Sequence, residues 1–268
     1  MKKNSCQRLL FIAGNSLLVC PALAVGFRLP NQDPVAIARA NAFSATADNP
    51  SAIYYNPAGI TQLEGQNVQV GLYAIAAHIR HLGVETTHTD FEVTPVPQLY
   101  YTVPIGSSPF TAGLGIYAPY GLGLEWPEDS GFRTLAIEGR LSYIRINPVI
   151  AWKVNPALSI AMGPTFNVST IKFTRGIAVP GDEFRFKGWG TDFGFTAGLR
   201  WQPHEKWSFG ITYQSATEIT YHGDSRAKPY TPEEDTEGDL PFPQFIMAGI
   251  SFRPSPIELR KRSKFAPD

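Results

Sequence analysis

The chain has 268 residues, equal numbers of basic and acidic side chains (23 each) and only 17% charged residues. That balance excludes the basic surplus of a nucleic-acid binder, and the charge fraction lies below the roughly 25% of an ordinary soluble domain. Beyond the first residues no stretch approaches the ~18 consecutive apolar residues of a membrane-spanning helix, so a helical membrane protein is excluded as well.

Lys2, Lys3 and Arg8 precede an apolar run from Leu9 to Cys20, which ends in the small-x-small pattern Ala22-Leu23-Ala24. This pattern predicts a secretory signal peptide over 1–24, too short to span a bilayer. A lipoprotein signal would use Cys20, but Val19 and Pro21 flank it where a small residue and a non-proline belong. Both cysteines, Cys6 and Cys20, lie in this segment, so the exported chain holds no disulfide.

Residues 25–65 are small and turn-prone. The stretch "ADNPSAIYYNPAGITQL" (47–63) holds two prolines, two asparagines and paired tyrosines, poor material for a strand or for a long helix. From residue 66 the pattern changes to alternation. Segments near 67–79, 93–105, 110–126, 140–154, 158–173, 193–201, 207–221 and 243–253 place apolar residues at every second position, as in Phe193, Phe195, Ala197, Leu199, Trp201. Period two means one apolar and one polar face. Short turns (Gly106-Ser107-Ser108, Asn155-Pro156, Pro203-His204-Glu205) alternate with longer polar loops.

A soluble sandwich and a membrane barrel both show this period. Three features favour the barrel. Several segments reach the roughly 9–11 residues needed to cross a bilayer at a tilt. Aromatic residues (Tyr100, Tyr101, Trp126, Trp152, Trp189, Trp201, Trp207) gather near segment ends, and connections alternate short and long. The expected fold is therefore all-β, a transmembrane antiparallel β-barrel over 66–253, followed by a basic tail over 254–268.

The third segment stands apart. Its even positions, Phe110 to Trp126, are apolar throughout, whereas Gly113, Gly115, Gly121 and Gly123 occupy odd positions. With the even face toward lipid, the glycines form a lumen-facing stripe of nearly bare backbone, leaving room for something to lie against the wall. Pro119 cannot donate its ladder hydrogen bond, so it marks a bulge, a gap or simply the end of a shorter strand.

Three stretches, "ARANAFSATADNPSAIYYNPAGITQL", "GIYAPYGL" and "GWGTDFGFTAGLRWQPHEKWSFGITYQS", resemble the outer-membrane long-chain fatty acid and hydrocarbon transporters of Gram-negative bacteria, the FadL/TodX/OmpP1-like family. The resemblance runs from about Gly26 to Phe252. It implies a barrel of about fourteen strands whose N-terminal segment, here 25–65, folds into the lumen as a hatch. It places Asn56, Pro57 and Ala58 in that hatch, beside a kinked third strand whose kink falls at Pro119, Tyr120 and Gly121. Asn56 is then expected to hold the hatch against that strand. Cargo leaves sideways through the wall. The implied function is passive transport of a hydrophobic small molecule into the outer membrane, whose lipids are the other partner.

The chain departs from this pattern in strand number, about eight instead of fourteen, and in its tail "RPSPIELRKRSKFAPD". An eight-stranded barrel has an interior just wide enough for its own side chains, so a C-terminally truncated, non-functional member is the alternative reading. A lipid-modifying outer-membrane enzyme and a structural porin are the others. No Gly-x-Ser-x-Gly elbow occurs, His204 sits in a short turn, and Gly113-x-Gly115 precedes no helix, so neither an enzyme nor a phosphate loop is expected. His78, His81 and His88 flank a loop without metal-ligand spacing, and no metal or cofactor is expected.

Overall fold

The computed structural model describes residues 28–253 except Val84. The expected signal peptide, with both cysteines, and the expected basic tail after Arg253 lie outside the described residues. Among the described residues twelve strands form in chain order: β1 (Asn67–Ala77), β2 (Arg80–Leu82), β3 (Thr86–His88), β4 (Glu92–Pro104), β5 (Phe110–Glu125), β6 (Glu138–Asn155), β7 (Leu158–Arg175), β8 (Glu183–His204), β9 (Trp207–Gln214), β10 (Thr217–Lys228), β11 (Glu234–Phe242) and β12 (Phe245–Phe252). Strands β2 and β3 make a small hairpin of their own. The rest form one antiparallel sheet, in which β9 with β10 and β11 with β12 each act as one broken strand. The wall thus has eight strands, curled into part of a barrel.

The faces of this wall are inverted relative to a soluble protein. On β7, Met162 is 62% exposed while Thr165 and Asn167, pointing the other way, are each 1% exposed. Phe193 on β8 is 67% exposed. A sandwich would bury its apolar face, whereas a barrel in lipid turns that face outward and keeps a polar interior. The inversion settles the choice for the barrel.

Three boundaries differ from the sequence reading. β8 begins at Glu183, ten residues before Phe193, and β11 carries Glu234, Asp235, Glu237 and Asp239. These charged stretches read as loop, yet they are strand ends that extend past the apolar band. The stretch 207–221 also breaks, at Ser215–Ala216. Register with β8 gains one residue there, Thr196 opposing Gln214 but Trp189 opposing His222. An extra residue exchanges the faces, so Ile211 points outward while Ile219 and Tyr221 are buried inside.

Residues 28–65 lie against the inner face. Helix α1 (Pro34–Ala38) starts at Asp33, whose carboxylate accepts from Ala36 N at 3.0 Å, with Pro34 in the first turn where no donor is needed. Helix α2 (Ala52–Tyr55) runs into a 3-10 helix (Pro57–Gln62). Ile53, Tyr54, Tyr55, Ala58 and Ile60 form an apolar core with Tyr100, Tyr117 and Val149 of the wall. So short a helix is not stable alone; burial against the sheet holds it.

Candidate functional site: a gap in the wall and the segment spanning it

β4 and β5 pair only from Leu99 opposite Ile116 down to Pro104 opposite Thr111. Above that, Glu92–Gln98 pair with β1 and not with β5, and Tyr117 and Tyr120–Leu124 pair with β6 and not with β4. At the top the backbone bond Asp90 N to Glu125 O at 3.0 Å joins the two sides again, beside Arg140, which pairs with both Glu92 and Glu125. The opening is about 25 Å long at ~3.3 Å per residue. Its cause is local: register between β5 and β6 slips between Tyr117 and Tyr120. That slip is a bulge at Ala118 and Pro119, and Pro119 has no N–H to offer β4.

Residues 28–33 occupy the gap. Leu29 N donates to Pro119 O at 2.8 Å, Arg28 bridges Tyr120, and Gln32 Nε2 donates to Ala118 O at 2.7 Å. On the other side, Gln98 Nε2 donates to Asn31 O at 3.4 Å and Gln69 Nε2 to Asp33 Oδ1 at 2.6 Å. Tyr55 Oη donates to Pro30 O at 2.9 Å. The segment therefore bonds to both lips of the opening and to the helices behind it.

The bulge corrects one expectation about the glycine stripe. Gly113 and Gly115 face the interior, where Cβ atoms would meet Ile53 Cδ1 at 3.0 Å and Ile53 Cγ2 at 2.9 Å. Beyond the bulge the faces exchange. Tyr120 turns inward, onto Tyr143 and Phe242, while Gly121 and Gly123 oppose Ser142 and Arg140 on the outer face. Gly123 is thus not lumen-facing, and a Cβ on Gly121 would meet Leu29 Cδ1 at 3.0 Å in the gap. A strict odd-even count cannot register the added residue.

Asn56 is also placed differently. Its Nδ2 donates to Ser44 O at 2.8 Å and to Leu199 O of β8 at 2.9 Å, and its Oδ1 accepts from Ala58 N at 3.2 Å. It secures the helices to β8, not to β5. The carbonyls of Tyr54 and Tyr55, left open where α2 ends, accept from Gln214 Nε2 at 3.2 Å and Thr212 Oγ1 at 2.8 Å. A Cβ on Gly198 would collide with Asn56 and Pro57, so glycine there makes room for the turn. Pro57 and Ala58 are buried in the same contact. Toward β5 the helices instead pack by apolar contact, Ile53 against Gly113 and Gly115 and Tyr54 on the Tyr117 ring.

Behind the gap, Tyr120, Leu141, Tyr143, Ile219, Tyr221 and Phe242 make a second apolar cluster, with Phe245 against it. Beneath it sits Arg145, 2% exposed. Its Nε donates to Asn167 Oδ1 at 2.8 Å, Nη1 to Gln214 Oε1 at 3.2 Å and Nη2 to Tyr143 Oη at 3.3 Å. All three partners are neutral, and among the described residues Arg145 forms no ion pair. Asn167 Nδ2 beside it is buried without a partner. Arg28 lies 4.0 Å over the Phe245 ring and donates to Tyr54 Oη at 3.4 Å, again with no ion pair among the described residues. Alternation located none of these polar groups; a lone arginine on the inward face of a predicted strand was the available signal.

At the loop end, Asp182 accepts from the backbone N–H of Ile177 (2.9 Å), Ala178 (2.7 Å) and Val179 (2.7 Å) and from Arg133 Nη1 (2.8 Å). Burial acts to raise its pKa, but Arg133 and these donors outweigh it and hold the carboxyl well below the usual carboxylate range. Loops 126–137 and 176–182 are stapled together. The histidines do not converge: His78 and His88 stand 5.2 Å apart as rings, while His81 packs on Phe132. His204 only accepts from Lys206 N in its turn.

A family model described as outer membrane protein transport protein (OMPP1/FadL/TodX) matches residues 16–237. The long-chain fatty acid transport protein of Escherichia coli O6:H1 is 24% identical over 251 residues, covering 79% of this chain and 55% of that one. A Pseudomonas aeruginosa FadL homologue superimposes with a TM-score of 0.69 at 17% identity, over 85% of this chain and 66% of its own. The toluene transporter TbuX of Ralstonia pickettii gives 0.65 at 19% identity, over 78% and 64%. The chain spans between about half and two-thirds of the length of these relatives. With its inverted wall and a match over most of its length, the chain belongs to the OMPP1/FadL/TodX family of outer membrane transport proteins.

Proposed function

We propose that this chain takes part in moving a long-chain fatty acid through the wall into the outer membrane, with residues 28–65 as the gate. The family's members are outer-membrane transport channels, not enzymes. The observation that carries the fatty-acid reading is Arg145, a buried guanidinium with only neutral partners beneath an apolar aromatic cluster. A buried cation without an anion is costly, and a ligand carboxylate would supply that anion, with Asn167 Nδ2 as a second donor. The acyl chain would lie along Tyr120, Tyr143 and Phe242, the cluster that stands behind the β4–β5 gap. Burying about fifteen methylenes at ~0.8 kcal/mol each gives on the order of 12 kcal/mol. The bilayer offers the same gain for the acyl chain, so release to the membrane has only the carboxylate's bond to Arg145 to overcome.

In this reading residues 28–33 close the exit, and Asn56, Pro57 and Ala58 anchor the segment behind it. Toluene, the cargo of the structurally similar transporter TbuX, has no carboxylate, and the two cargo classes therefore separate at Arg145. Binding of a long-chain fatty acid and of the alkane of equal length is measured on the full chain in nanodiscs. A hydrogen-bonded charge contributes about 1.5–3 kcal/mol, so Arg145→Gln should weaken the fatty acid about 10- to 100-fold and leave the alkane unchanged. Equal affinities of the unaltered chain for both ligands would overturn the fatty-acid reading.

A further inference from the structure

The outer face of the wall carries, near its loop end, a row of three cations in direct register. Arg140 of β6 opposes Lys172 of β7, which opposes Lys187 of β8. Like charges directly opposite on one face are unfavourable, and neighbouring acids relieve only part of the row. Arg140 pairs with Glu92, with Glu125 at 3.0 Å and with Glu138 at 2.7 Å, and Lys172 shares Glu138 at 2.6 Å. Lys187 forms no ion pair among the described residues, although Asp224 is its neighbour on β10. The row borders a groove of about 760 Å³.

What lies beneath the row is ordered by chemistry. One step toward the membrane centre come Ser142, Thr170 and Trp189, again in register, the indole 59% exposed. Further down the outward residues turn apolar: Ile144 opposes Val168, and Ile146, Phe166 and Phe193 form a row. The height also fits. From Trp152, in the aromatic ring at the short-turn end, to Arg140 is twelve residues along β6. At ~3.3 Å per residue and a tilt of about 40° this rises about 30 Å, just past the apolar band of about 25 Å. Cations, then hydroxyls and an aromatic plane, then hydrocarbon reproduce the order of phosphate, sugar and acyl chain in a glycolipid.

We propose that this face binds the phosphate-bearing headgroup of an outer-leaflet glycolipid. Lys187 and Lys172 hold the phosphate, Ser142 and Thr170 reach the sugar hydroxyls, and Trp189 stacks on the sugar ring. The surface is opposite to the interior cluster and independent of the cargo.

The full chain is reconstituted in phosphatidylcholine nanodiscs with bis-phosphorylated lipid A, or with lipid A stripped of phosphate, and retained glycolipid is counted by native mass spectrometry. The phosphorylated lipid should be retained at least tenfold more than the stripped one. The double substitution Lys172→Gln, Lys187→Gln should abolish that difference, whereas Lys153→Gln, at the other end of β6, should preserve it. Inorganic phosphate at matched concentration should not displace the lipid. Equal retention of the two lipids by the unaltered chain overturns the proposal, and this comparison needs no variant to fold. Loss of retention in Lys153→Gln would reduce the effect to general charge attraction, and displacement by inorganic phosphate would make it an ion site; either result overturns it too.

Discussion

Asn56 gives the sharpest test of how the inner segment is held. Its side chain is fully buried and makes three hydrogen bonds, donating to Ser44 O and Leu199 O and accepting from Ala58 N. Asn56→Ala leaves two carbonyls and one N–H without this partner. At about 1 kcal/mol for each lost bond, the segment loses about 3 kcal/mol, a change of roughly 100-fold in its local opening. Asn56→Asp keeps the acceptor for Ala58 N but turns a buried carboxylate onto two carbonyl oxygens, so it should cost more than alanine. Hydrogen exchange on the full chain in nanodiscs reads both. The amides of Asn56, Gly59 and Leu63, bonded to Ala52 O, Asn56 O and Ile60 O, should exchange about 100-fold faster in the alanine variant, and faster still in the aspartate variant. Amides of β6 and β7 should keep their protection. An aspartate variant as protected as the parent, or loss of protection spreading equally through β6 and β7, would refute the reasoning.

Two further outcomes concern residues 28–33 and the loops. Gln32 Nε2 donates to both Leu29 O and Ala118 O across the gap; Gln32→Leu should cost about 1–2 kcal/mol and speed delivery of a fluorescent fatty acid into proteoliposome lipid roughly tenfold, and an unchanged rate would mean that residues 28–33 do not close the path. Because the pKa of Asp182 is depressed in the folded chain, its contribution is present above the ordinary carboxylate pKa of 3.8 and is lost as pH falls below it. Spin labels at the exposed positions Leu135 and Val179 should report a narrow distance at neutral pH that broadens on acidification, while Asp182→Asn should be broad at neutral pH and insensitive to acid. A pH-independent narrow distance in the parent chain would refute the staple.

The sequence by itself determined the class of fold. Alternation over eight segments, aromatic residues at their ends and connections of alternating length need only the period of a strand and the thickness of a bilayer, both local quantities. It likewise marked the N-terminal segment as foreign to the wall, because its prolines, asparagines and small residues cannot pair as strand. It also named Pro119 as a fault, since a missing N–H is a property of one residue.

Tertiary structure alone decided which face each residue occupies beyond a fault and which strand each side chain reaches. One added residue at Ala118–Pro119 and another at Ser215–Ala216 exchange inside and outside for the rest of the strand. That moves Gly123 to the outer face and Tyr120, Ile219 and Tyr221 to the inner one. A bulge is defined by the partner strand's register, and no single strand contains that information. Asn56 reaches β8, 143 residues away in sequence, and Arg145 meets Gln214, 69 residues away. Such contacts follow from how far the sheet curls, a sum of small twists along all eight strands, and so are absent from any window of the chain.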